Sequence, residues 1–125
     1  MFKHITLTLA RCPEFPLGSS KHGYVITAPL DADGYLDTDA RKTAQSLCLA
    51  RRFSPDEKDR FGRLLHRAGG PNGATWVIDY DPNATTDDER GFRLEAHQFV
   101  PGNYVSIRDD EGNLTTYQVS RVIDA

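Results

Sequence analysis

Arg51, Arg52, Arg63 and Arg67, with Phe53, Phe61 and His66 interleaved, are the residues of this chain best placed by type and spacing to do chemistry. Between positions 41 and 67 eight Lys or Arg meet three Asp or Glu, although the 125 residues together carry a net charge of −3. A local cationic surplus attracts anions. Basic residues interleaved with aromatic rings are also the means by which small barrels hold single-stranded nucleic acid. Two features weigh against nucleic acid here: the acidic overall balance, and an alternation that assigns Phe53 and Phe61 to the core. The plainer expectation is that these basic strands are solvated or pair with the acidic half of the chain. Residues 71–125 hold ten Asp or Glu against four Lys or Arg.

Asp79 is the second candidate. It lies between Ile78 and Tyr80 on the strand face opposite Trp76, close to Asp81. An outward carboxylate paired across strands with an arginine is the preferred reading. The alternative is a ligand-binding or hydrolytic cleft lined by Trp76, Tyr80, His66 and Asp79, which requires Asp79 and His66 to point into one space.

Other constellations fall short of a site. His4, His22, His66 and His97 are scattered. A zinc set of Cys12, His22, Cys48 and His66 has suitable ligand types, but structural zinc sites usually take ligands in close pairs, which this spacing lacks. The DADGYLD segment at 31–37 resembles part of a calcium loop, yet Lys42 stands where such a loop needs a bidentate glutamate. Gly69, Gly70 and Gly73 are followed by neither Lys-Ser nor Lys-Thr, so a turn explains them better than a phosphate cradle. No serine sits in a nucleophile elbow and neither cysteine in a reactive motif. No catalytic residue, metal or cofactor is therefore assigned.

The elements that must carry these residues are mostly strands. Alternating apolar residues mark strands at 3–10, 23–30, 47–53, 61–67, 75–80, 104–108 and 114–122. Residues 12–22 read as a loop that no regular element accommodates, with Phe15 and Leu17 pinning it to the core. Residues 38–45 are the best helix candidate, with Asp37 or Thr38 as N-cap. SPDEKD at 54–59 matches either a capping box or a hairpin tip, and the tip is preferred. Residues 81–91 read as an acidic loop or a single helical turn. Pro101 and Gly102 make a turn into the last hairpin, where Val105, Ile107, Tyr117 and Val119 share one apolar face. Val122 is out of phase with Val119, and a bulge near Ser120 or Arg121 would restore its burial.

Composition bounds the rest. One domain spanning 1–125 is expected, large enough for a single core. No run approaches the roughly 20 apolar residues of a spanning helix, and 1–12 alternates where a secretory leader would be continuously apolar. A cytoplasmic chain with reduced Cys12 and Cys48 follows.

Three runs, LARCPEFPLGS at 9–19, HGYVITAPLDADGYLD at 22–37 and FVPGNYVSIRDDEG at 99–112, resemble a group of short, uncharacterised, mainly proteobacterial stand-alone proteins. The likeness covers most of the chain. It implies a bacterial cytosolic setting and carries over no activity and no site residue.

The expectation is thus a mainly β chain: a small antiparallel barrel or bent sandwich of about seven strands with one short helix. Its expected role is non-enzymatic binding, through loops 12–22 and 81–97 for a protein partner. An anionic ligand would meet Arg51, Arg52, Arg63 and Arg67, and nucleic acid at 41–67 is the weaker alternative.

Overall fold

β-branched and aromatic residues recur at every second position through much of the chain, and strands form where they do. These are β1 (Phe2–Leu9), β2 (Ser19–Pro29), β3 (Leu49–Ser54), β4 (Glu57–Arg67), β5 (Thr75–Asp79), β6 (Glu89–Gly91), β7 (Tyr104–Arg108) and β8 (Leu114–Asp124). The computed structural model describes residues 2–37, 40, 47–67, 75–80, 89–91, 97–108 and 113–125, with backbone alone at 66, 67, 75, 76 and 89–91. Each strand pairs antiparallel with the next in sequence, and β8 returns to pair with β1. The result is a closed up-and-down barrel in which every strand has a paired neighbour on both sides.

Alternation then sorts the side chains. Ile5 and Leu7 on β1, Tyr24 and Ile26 on β2, Leu64 on β4, Ile78 on β5, Val105 and Ile107 on β7, and Val119 on β8 are buried inside. Full burial of such a side chain is worth about 1.5–3 kcal/mol. Tyr24 and Tyr117 meet edge to face at 5.1 Å across the interior.

Two irregularities shape the closure. Thr6 faces Arg121 while Leu7 faces Val119, so Ser120 is the extra residue of a β-bulge. Its Oγ donates to Thr6 O at 3.2 Å. The bulge points Ser120 and Arg121 both outward and returns Val122 to pack against the core. On β2, a Cβ at Gly23 would lie 1.8 Å from the Leu7 carbonyl oxygen, so β1 and β2 approach here as only glycine allows. At the entry to β7, Gly102 adopts φ +99° and Asn103 N–H donates to Val100 O at 3.0 Å, the turn geometry that Pro101-Gly102 favours.

The barrel departs from the sequence expectation in several places. The eighth strand, β6, occupies the end of the stretch read as an acidic loop; its backbone pairs with β5 and β7 on its two sides. β2 begins at Ser19, inside the segment read as wholly irregular, while Cys12 and Phe15 close a bridged turn before it. Phe15 packs on the His22 ring at 4.9 Å, but Leu17 is almost fully exposed and pins nothing. β3 starts at Leu49, and Leu47 is exposed. Phe61 does not enter the core: it is 69% exposed on the outer surface, and Phe53 shares that outer face. The inward positions beside them belong to Cys48, Ala50 and Gly62.

The expected helix at 38–45 lies outside the described residues except at Ala40, whose N–H donates to Asp37 Oδ1 at 3.0 Å, as an N-cap carboxylate accepts. The Gly69, Gly70 and Gly73 turn, most of 81–97 and the turn at 109–112 also lie outside them. No helix among the described residues is long and apolar enough to cross a membrane.

Candidate binding face

Strand register assembles the outer face of β8, β1, β2, β3 and β4 from residues far apart in the chain. One row runs Arg121, Thr6, Val25, Arg51, Phe61 across the five strands. The neighbouring row runs Ile123, His4, Thr27, Leu49, Arg63 and continues to Asp79 on β5. Residues of both rows, among them Arg121, Val25 and Phe61 of the first and Ile123, Thr27 and Leu49 of the second, line an open groove of about 470 Å³. Leu49 and Ile123 are 45% and 42% exposed there, beside Phe61. Exposed apolar groups gathered in one place on a small protein mark an interaction surface, whereas single ones do not.

Cations frame this apolar strip. Arg51 and Arg121 line the groove itself, and Arg63 stands two residues along β4 from Phe61. Arg51 pairs with Asp59 at 3.3 Å and lies 5.7 Å from the centroid of the Phe53 ring. Both partners of that ion pair are well exposed, so it contributes about 0–1 kcal/mol and yields readily to another anion. His4 Nδ1 and Thr27 Oγ1 lie 2.8 Å apart, a hydrogen bond that fixes the ring against the groove wall. A second groove of about 400 Å³, lined by Phe61, Gly62, Arg63, Asp79 and Tyr80, continues the face toward β5.

The six residues singled out in the sequence separate. Arg51, Arg63 and Asp79 share the outer face, and position 67 has the same parity along β4. Arg52 lies on the opposite parity, in register with Tyr24 and Arg60. It lines a pocket of about 510 Å³ at one end of the barrel with Arg11, Cys12, Phe15 and His22. Positions 66 and 76 pair with each other on the parity of Leu64 and Ile78, the face away from Asp79. The side chains at 66 and 76 lie outside the described ones, so the register gives only this difference in parity for the cleft envisaged from Trp76, His66 and Asp79.

The thiols and carboxylates fall elsewhere. Neither Cys12 nor Cys48 is in a disulfide; Cys48 lies in the core and Cys12 in the end pocket. Asp31 Oδ1 accepts from the backbone N–H of Asp33 and Tyr35, so this carboxylate caps its own turn. Among the described residues no three His, Cys, Asp or Glu are gathered as metal ligands.

His4, Val25, Arg121 and Ile123 were missed in the sequence. The out-of-phase Val122 is the signal that points to two of them, since the bulge that buries it must present Arg121 and Ile123 outward. Compared with known proteins, the chain matches no family model, no curated protein and no solved structure.

Proposed function

We propose that this chain is a non-enzymatic binding domain of a bacterial cytoplasmic protein, and that it holds an anionic ligand against the outer face of β8, β1, β2, β3 and β4. The observation that carries this reading is an inversion of the usual economy of a small barrel. Among the described residues large apolar side chains point into the interior, while Phe61, Leu49 and Ile123 are exposed on the outer face that also carries Arg51 and Arg121. An outer face that keeps apolar surface wet next to cations suits a ligand with an anionic group and an apolar body.

The test uses 8-anilinonaphthalene-1-sulfonate, an anionic probe with apolar rings. Its fluorescence should rise on titration with the folded protein, and Phe61→Ser or Arg51→Gln combined with Arg121→Gln should weaken the response about tenfold or more, the loss of roughly 1.4 kcal/mol. No response, or one untouched by these changes but abolished by Arg52→Gln, would move the site to the barrel-end pocket and refute the reading. A protein partner on loops 12–22 and 81–97 is a second proposal, favoured by the exposure of Leu17 beside Tyr104 in a groove of about 650 Å³.

A further inference from the structure

We infer that the occupant of this outer face is a short stretch of single-stranded nucleic acid, an inference that rests on the anion-binding reading above and narrows its ligand. The argument is one of charge spacing. Arg121 and Arg51 stand three strands apart in one row, with Thr6 and Val25 between them. Arg63 stands in the next row, one strand beyond Arg51. Neighbouring strands are about 4.8 Å apart, so the Arg121–Arg51 pair spans about 14 Å along the sheet. A ligand with one anionic group meets one cation of a pair and leaves the other unused. A polyanion meets both.

What lies between the cations selects among polyanions. Phe61 presents an exposed ring directly across from Arg51 and two residues from Arg63, and Val25, Leu49 and Ile123 add apolar surface to the same groove. Unpaired bases stack on such a ring whatever their sequence, while the arginines follow the phosphates. A duplex keeps its base faces stacked on each other and offers this surface nothing. An acidic peptide supplies charge but no planar rings at each repeat. Asp59 beside Arg51 and Asp79 in register with Arg63 moderate the positive potential, so binding in the micromolar range is expected.

The experiment is fluorescence anisotropy of a labelled oligothymidylate of about 12 nucleotides with the whole chain. Engagement of three phosphates by Arg51, Arg63 and Arg121 sets a slope of log K against log salt near −2, an affinity loss of about 15- to 20-fold between 50 and 200 mM. Phe61→Ser should lower affinity about 5- to 100-fold, with circular dichroism showing the variant folded. Arg121→Gln should weaken binding and make the salt slope shallower by about 0.7. Arg11→Gln, which removes one exposed arginine at the barrel end, should leave both unchanged.

Absence of oligonucleotide binding at about 50 mM salt, while the sulfonate probe still binds with Phe61 and Arg51 sensitivity, overturns this inference and leaves the anion-binding reading standing. Loss of both responses overturns the two together. Oligoglutamate or duplex DNA competing as well as the single strand, or Arg11→Gln weakening binding as much as Arg121→Gln, also overturns it.

Discussion

Replacing Gly23 by alanine should unfold the barrel at a markedly lower temperature, and the reason is one contact. A Cβ built on Gly23 lies 1.8 Å from Leu7 O and 2.9 Å from Leu7 C, both backbone atoms of the neighbouring strand, and 3.0 Å from the Phe53 ring. An unobstructed Gly→Ala change in a strand gains about 0.5–1 kcal/mol by restricting the unfolded chain. Overpacking costs about 1–3 kcal/mol and occasionally more. Here no rotamer can relieve the clash, because the obstacle is a carbonyl in the β1–β2 ladder, so the two strands must part by roughly an ångström. The steric term wins, with a net loss of about 2–3 kcal/mol. For a chain of this length that lowers Tm by about 8–12 °C.

Urea denaturation followed by circular dichroism measures the change, with an unaltered m-value confirming that only stability moved. A double-mutant cycle with Phe53→Ala identifies the obstacle. Because the carbonyl and not the ring sets the cost, truncating Phe53 should rescue less than about 0.5 kcal/mol. A Gly23→Ala protein as stable as the parent, or one fully rescued by Phe53→Ala, would refute the close approach of β1 and β2.

Three further outcomes test the rest of the architecture. Deleting Ser120 removes the bulge residue but keeps Val119 inward, Arg121 outward and Val122 inward, so denaturation should show a loss of only about 1–2 kcal/mol; deleting Ser120 and Arg121 together inverts Val122 and should cost at least about 2 kcal/mol more. Ile78→Ala, in the core, should lose about 2–5 kcal/mol and Leu49→Ser, in the groove, less than about 0.5 kcal/mol; equal losses in thermal unfolding would contradict the assignment of faces. At the seam where β8 meets β1, the hydrogen bond from Lys3 and then its charge hold the Asp124 carboxyl below its ordinary value, against a small desolvation effect. A carboxylate lowered in the folded state contributes stability above the ordinary Asp range that is lost as pH falls from roughly 4 through the lowered value. Asp124→Asn should therefore flatten the acid limb of a stability–pH profile, and an unchanged limb would contradict the pairing.

How far the molecule could be read in its sequence depends on whether the signal was local. The last hairpin was legible because alternation, the Pro101-Gly102 turn and the phase break before Val122 all lie within one stretch, and the bulge at Ser120 follows from that break. β6 was not, because Glu89–Gly91 has no apolar pattern of its own and is held by the ladders of β5 and β7. The faces of β3 and β4 were assigned in reverse for Phe61 for a volumetric reason. A Cβ at position 62 would meet Asp79 O at 2.7 Å and the Tyr80 ring at 2.9 Å, so this inward position must be small; Gly62 takes it beside the buried Ala50, and Phe61 goes outside. Of the binding face, Arg51 and Arg63 could be seen as a basic pair of strands. His4 joins them through the β1–β2 ladder, and Arg121 and Ile123 only through closure of β8 on β1.

Residue-resolved mapping tests the central claim most directly: a series of ¹H–¹⁵N correlation spectra recorded while the sulfonate probe is titrated into the labelled protein. The largest amide shifts should cluster on the two rows that hold Thr6, Val25, Arg51 and Arg121 and His4, Thr27 and Leu49. Shifts centred on Cys12, His22 and Arg52 at the barrel end, or spread evenly over the strands, would contradict an anion site on the outer face.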